Sequence, residues 1–169
     1  MLALLTEECQ KSTLQQMTEQ LVYEIRRPTI DELESIRQLR HEVLDPARVV
    51  ASDMTLGERD FDASTIHFAA FVDGVAQSTV RIDSLGEGIF EVRKMATREA
   101  YRGRGLGSAV LRAAVQVARK NHARLIQLDA RQEALVFYAK LGYVLTGETV
   151  THEDGILNYR MQKEVNHGR

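Results

Sequence analysis

Residues 102 to 107 read Arg102-Gly103-Arg104-Gly105-Leu106-Gly107, three glycines and two arginines between a strand-like run and a helix-like one. No other segment limits the fold as tightly. The first turn of a helix has amides with no partner inside the helix, and the aligned peptide dipoles add partial positive charge there. Glycines let the chain turn sharply and let an anion approach the backbone without meeting a Cβ. A diphosphate on that turn would meet several N–H donors, with Arg102 and Arg104 beside it to add charge. Two common anion loops fit poorly. A P-loop ends in Gly-Lys-Ser/Thr, and Gly107-Ser108 lacks the lysine. A dinucleotide fingerprint needs a third glycine where Ser108 stands, and it opens an early parallel unit.

The segments around the loop predict a mixed α/β architecture. Residues 1–21 form a polar extension with scattered leucines, weakly patterned for a helix. Tyr23–Arg26 reads as a short strand closed by Pro28. Thr29 and Glu32 have capping-box spacing, and Leu33, Ile36, Leu39 and Val43 carry a helix to Leu44, with Arg37, Arg40 and Glu42 between them. Residues 46–64 are loop-like, with a second short helix near Ala47–Met54 as one option. Ile66–Val72 and Val75–Ile82 flank Asp73-Gly74, a pair suited to a tight hairpin turn. Ile89–Thr97 continues the meander. Gly105–Asn121 is an amphipathic helix, Leu125–Leu128 a short apolar strand of the kind buried on both faces, and Glu133–Leu141 a helix stopped by Gly142. Tyr143–Val150 and Ile156–Gln162 close the chain as strands, with Leu157, Tyr159 and Met161 alternating. Residues 22–165 therefore form one domain around a largely antiparallel sheet of about seven strands flanked by helices.

Bulk properties narrow the partners. The 169 residues are enough for one self-sufficient core. A net charge of -2 gives no global basic field, which argues against nucleic acid as partner. Cys9 is the single cysteine, which excludes an internal disulfide and thiolate metal sites and suits a reducing cytoplasm. Leu2-Ala3-Leu4-Leu5 is too short for a secretory core, and no run approaches the roughly 20 apolar residues of a membrane span. The expectation is a cytoplasmic protein with no membrane contact and no metal.

Arg102, Gly105 and Gly107 after a strand resemble the Arg/Gln-x-x-Gly-x-Gly acyl-CoA signature of the GNAT superfamily of N-acyltransferases. A second similar motif, Ala134-Leu-Val-Phe-Tyr-Ala-Lys-Leu-Gly-Tyr143, follows in the helix after the next strand. Element order extends the resemblance over residues 22 to 163. His152-Glu-Asp-Gly-Ile156 and the hairpin around residues 66–82 look most like the ElaA-like branch. Two departures stand out. Arg98 replaces a proline common just beyond the strand, and Arg131 replaces an asparagine common before the later helix.

The resemblance implies acetyl-CoA as acyl donor, a GNAT-like fold, and these roles. Met95, Ala96 and Thr97 offer backbone groups to the acyl carbonyl and pantetheine arm, while Gly103, Arg104, Gly105, Leu106, Gly107 and Ser108 hold the diphosphate with Arg102. Tyr138 is the expected proton donor to the departing thiolate; its other reading is an aromatic on the helix's apolar stripe with Ala134 and Leu141. Glu91 is the first candidate base for the acceptor amine, on the face of Met95 only where no bulge intervenes, and otherwise a strand carboxylate. His67 and His152 are weaker candidates. Glu58, Asp60 and Asp62 form an acidic patch able to attract a cationic amine. The function so read is N-acetyl transfer to a primary amine of a small molecule through a ternary complex. The alternative is a non-catalytic acyl-CoA-binding module, and a homodimer is open to either.

Overall fold

The computed structural model describes residues 21–44, 60, 62, 64–152 and 155–165. The expected extension, apart from Leu21, and the helix option near Ala47–Met54 lie outside them. Leu21 itself packs against the main core.

Strand β1 (Glu24–Arg26) leads through a 3-10 turn (Ile30–Glu32) into helix α1 (Leu33–Leu44). The Glu32 carboxylate accepts the Thr29 amide at 2.8 Å and the two terminal guanidinium nitrogens of Arg26 at 2.7 Å, which fixes the helix start against β1. Strands β2 (Ile66–Val72), β3 (Val75–Gly86) and β4 (Ile89–Thr97) form the meander. Asp73 and Gly74 have φ of 49° and 77°, as the two-residue turn requires. Helix α2 (Leu106–Lys120), strand β5 (Leu125–Ala130), helix α3 (Leu135–Lys140) and strands β6 (Val144–Thr151) and β7 (Leu157–Glu164) complete the order. Gly142, at φ 85°, ends α3 as expected: its amide bonds the Ala139 carbonyl and the Tyr143 amide bonds that of Tyr138.

The seven strands lie in the order β1-β2-β3-β4-β5-β7-β6. Every neighbouring pair is antiparallel except β4 and β5, which are parallel only from Ile89↔Leu125 to Glu91↔Gln127. Beyond Glu91 the two strands have no common register. A parallel pair that stops pairing opens a slot through the middle of the sheet, edged by residues 92–97 of β4 and 128–130 of β5.

Helices cover both faces. On one, Leu106, Val110, Leu111, Ala114 and Ala118 of α2 meet Val80, Ile82, Val92, Ile126 and Leu128. On the other, Ile36 and Leu39 of α1 pack on Ala69, Phe71, Ala76 and Ala96. Strand β5 departs from the expectation of burial on both faces. Ile126, Leu128 and Ala130 are buried, while Gln127 and Asp129 alternate onto the α1 side, only partly covered. In β7, Asn158 and Met161 are buried and Leu157 is exposed, so apolar alternation misplaced the first residue.

Candidate active site

Sequence dictates a sharp loop between β4 and α2. Glu99–Tyr101 makes one 3-10 turn, with the Tyr101 amide on the Arg98 carbonyl and the Arg102 amide on the Glu99 carbonyl. Gly103 and Gly105 then take φ of 72° and 87°, and a Cβ at either would meet nothing within 4 Å. Gly105 is the N-cap of α2 and accepts the Ala109 amide at 3.0 Å. Among the described residues, no acceptor is bonded to the amides of residues 103 to 108. Six backbone donors therefore stand at the start of a 15-residue helix, on glycines that leave their approach open. The residues fit a diphosphate.

Gly107 has a different physical role from its two partners. Its φ is ordinary, and a Cβ there would come within 3.2 Å of Thr97 Oγ1 and 3.3 Å of Met95 Cε. It brings the start of α2 close against β4. The arginines also divide. Arg102 Nε donates to the Thr97 carbonyl at 3.2 Å, and the Arg104 guanidinium lies 5.7 Å from the Tyr101 ring centroid; both stay exposed at the loop. Arg98 instead binds Glu42, the Ala76 carbonyl and the Gln77 side chain, which makes it structural.

Strand β4 carries the bend that arranges the slot. Arg81 lies opposite Arg93 but Thr79 opposite Ala96, so Val80 faces two residues, Lys94 and Met95. Lys94 has φ 50°. This is a bulge, and it resets the side-chain alternation. Val92 and Met95 pack with the α2 core, whereas Glu91 and Arg93 lie on the α1 side. The condition for Glu91 and Met95 to share a face is therefore not met. Glu91 is 4% exposed, accepts Arg93 Nε at 2.6 Å, and lies 3.4 Å from Gln127 Nε2.

Tyr138 is on the Met95 side, buried, with its hydroxyl 3.5 Å from Met95 Sδ. Phe137 and Tyr143 pack edge-on against its ring at centroid distances of 5.0 and 5.8 Å. Burial pushes the Tyr138 phenol up to about 12, so it stays protonated throughout the physiological range. Ala96 and Thr97 complete the edge. The Ala96 carbonyl accepts Ser78 Oγ at 3.2 Å, and Thr97 Oγ1 lies 2.7 Å from the same hydroxyl. Ser108 sits in the first turn of α2, half-buried.

Sequence reasoning missed a buried ionic lattice on the α1 side. Arg40, fully buried, donates to Asp60 Oδ1 at 2.8 Å, while Arg81 donates to Asp60 Oδ2 at 2.9 Å and to Asp83 at 3.0 Å. The signal was present. Arg40 stands four residues after Ile36, on the apolar stripe rather than between its members, and Thr79, Arg81 and Asp83 alternate with Val80 and Ile82. Asp60 is thus no part of a solvated acidic patch. Burial opposes its charge, but Arg40 and Arg81 outweigh it and hold the carboxyl below the usual range. His67 belongs to the same lattice. Its Nε2 lies 3.0 Å from Arg40 Nη2 and 3.1 Å from Thr79 Oγ1. Arg40 can only donate, so Nε2 accepts and the proton sits on Nδ1. Burial, then Arg40, lowers the ring to about 3, and its lone pair is already used, so it is no base. His152 Nε2 lies 3.4 Å from Asp129, whose carboxylate also binds Arg160.

Across the slot, Arg131 Nη2 donates to the Leu44 carbonyl at 3.1 Å and ties the end of α1 to the turn after β5. Among the described residues no group of three or more His, Cys, Asp or Glu could hold a metal, and no helix is long and apolar enough to cross a membrane.

The fold as a whole is shared with known proteins. The chain is 25% identical over 122 residues, 69% of its length and 80% of the relative's, to the uncharacterized N-acetyltransferase YitI of Bacillus subtilis (strain 168). Escherichia coli ElaA superposes with a TM-score of 0.69 at 18% identity, covering 85% of this chain and 99% of that one. The PaiA N-acetyltransferase of Thermoplasma acidophilum, solved in complex with coenzyme A, gives 0.65 at 15% identity, with 85% and 99% covered. At such identities the two structures show a common fold. The model of the acetyltransferase (GNAT) family matches residues 30–143, the stretch from the 3-10 turn before α1 to the end of the α3 cap, and on that match the chain belongs to this family.

Proposed function

We propose that the protein transfers an acetyl group from acetyl-CoA to a primary amine of a small molecule, directly and in a ternary complex. The observation that carries the reading is the set of backbone amides 103–108, which have no acceptor among the described residues and follow the end of the β4 stretch that has parted from β5. Coenzyme A supplies a thioester-activated acyl group. The chain's own groups do the rest. Amides 103–108 hold the diphosphate, with Arg102 and Arg104 adding charge. The unpaired edge of β4 aligns the pantetheine arm in the manner of an added strand, through Met95, Ala96 and Thr97.

Tyr138 holds a proton on the α2 side of the slot. Transfer from a phenol at about 12 to a thiolate of ordinary basicity near 8.5 is uphill by about 5 kcal/mol. The same dry surroundings raise the thiol as well, which narrows that gap. Glu91 is on the α1 side, and its role as base for the acceptor amine runs through a water, because Arg93 already occupies one carboxylate oxygen. The two proton-handling groups thus flank the slot from opposite faces, which suits a donor entering from one side and an acceptor from the other.

A thiol-release assay with a panel of amines tests the reading, alongside calorimetric titration with coenzyme A. Tight coenzyme binding with no transfer to any amine would favour a binding module instead.

A further inference from the structure

We propose that Lys94 recognises an anionic group on the acceptor, so that the substrates are amines carrying a carboxylate or phosphate close to the amine. This rests on the acyltransferase reading and narrows its substrate class.

Three observations converge on Lys94. The first is its backbone. At φ 50° in the β4 bulge, Lys94 takes a conformation that glycine or asparagine adopts with less strain. A long cationic side chain kept at such a position points to a role beyond folding. Met95, next in sequence, joins the α2 core beside Tyr138, while the charges that act on Lys94 are those of Arg40, Arg81, Asp60 and Arg93, the groups of the α1 side. It is therefore on the face assigned to the acceptor, one residue from the strand edge assigned to the acyl group.

The second is charge. Around Lys94, Arg40 and Arg81 share Asp60, Arg81 also binds Asp83, and Arg93 binds Glu91. Farther along the same face Arg160 binds Asp129, which His152 also approaches. Each of these carboxylates already serves a guanidinium. Among the described residues Lys94 has no hydrogen-bond or ion-pair partner, and it is the ammonium left over.

The third is its environment. Lys94 is half-buried, and burial, then Arg40 and Arg81, lower the pKa of its ammonium. An incoming anion would offset both the lost hydration and the repulsion, so such a ligand gains more here than at an exposed lysine. A cationic second group on the acceptor would instead meet unmatched positive charge.

The test uses the full chain at saturating acetyl-CoA. Acceptors are offered in matched pairs: amino acids against their carboxamides, and aminoalkyl phosphates against the corresponding amino alcohols. The wild type should prefer the anionic member, and the two series separate carboxylate from phosphate. Lys94→Met should raise KM for the anionic member about 10- to 100-fold. KM for the neutral member should not move, and Lys94→Arg should retain the preference. Lys94→Gly relieves the backbone strain, so it should melt no lower than the wild type while losing the preference. Equal use of both members by the wild type, or a parallel loss for both in Lys94→Met, would overturn the assignment while leaving the transferase intact. Coenzyme binding without transfer to any member would overturn the transferase reading and this inference with it.

Discussion

Replacing Asp60 by asparagine removes one negative charge from a site where its side chain is 1% exposed and two guanidinium groups depend on it. Arg40 Nη1 at 2.8 Å and Arg81 Nη1 at 2.9 Å each bond a different carboxylate oxygen. Asparagine keeps one acceptor oxygen and turns an NH2 toward the other arginine, so one bond becomes a donor–donor clash. Arg81 retains Asp83. Arg40, with a side chain 1% exposed, loses the largest of the charges that offset its burial. Breaking a buried ion pair by removing one partner costs about 3–5 kcal/mol. For a domain of this size each kcal/mol corresponds to about 2–4 °C, so melting should fall by roughly 6 to 20 °C. Thermal unfolding followed by circular dichroism, together with urea titration at unchanged m, reads the loss. The paired variant Arg40→Met with Asp60→Leu should recover most of it, because it removes both charges together. The lattice also sets an acid limit. The folded pKa of Asp60 is depressed, so its contribution is complete above the unfolded value near 4 and is lost as pH falls through the lower folded value. In Asp60→Asn that share of the acid-induced loss should vanish. A melting shift under about 2 °C would refute the account of a buried, mutually dependent lattice.

Tyr138→Phe should lower turnover by about 100-fold or more while coenzyme affinity and melting stay unchanged, since among the described residues the hydroxyl approaches no polar atom but Met95 Sδ, at 3.5 Å. Single-turnover rates set against calorimetric affinity check it; unchanged turnover removes Tyr138 as the acid. Gly105→Glu should abolish coenzyme binding, because a side chain at φ 87° is strained and its carboxylate stands among the amides meant for phosphate. Calorimetry reads the loss, and retained affinity would place the diphosphate elsewhere. The His67 ring should stay neutral from pH 5 to 9, with its proton on Nδ1. Nitrogen-15 NMR of the imidazole checks this, and a midpoint near 6.5 would show the contact with Arg40 to be broken.

The loop was legible because its chemistry is local: Gly103 and Gly105 lie at the positive φ their residue type suggests, and α2 begins at the next residue. The Thr29–Glu32 start, the Asp73-Gly74 turn and the Gly142 stop were legible for the same reason, each being written within a few residues. What local pattern did not carry was register. Nothing in Ile89–Thr97 announces where one residue of β3 faces two of β4, so the face of Glu91 could only be stated conditionally. Arg40 was assigned to the polar side of α1 because arginine is rarely buried. Its partner Asp60 comes from a segment 20 residues on, which no periodicity within the helix encodes. The Leu125–Leu128 run was read as buried on both faces, because one-dimensional hydropathy passes over the Gln127 and Asp129 alternation.

The slot and the bulge are best understood together. A parallel pair that kept its register past Glu91↔Gln127 would bond the β4 edge to β5 and leave no backbone to receive an extended ligand. The same residues run as a regular strand would place Met95, four positions after Glu91, on the α1 side with it, away from Tyr138. With the splay and the bulge both present, one strand presents Met95 to the phenol on one face and Glu91 with Lys94 to the other. The division into a donor side and an acceptor side thus depends on this strand running with a bulge and not as a regular ladder. Deleting Lys94 leaves Met95 two residues after Val92, still on the α2 face beside Tyr138, so amides 103–108 should still bind coenzyme A while the preference for anionic acceptors is lost. Loss of coenzyme binding together with that preference would show instead that the bulge only supports the fold.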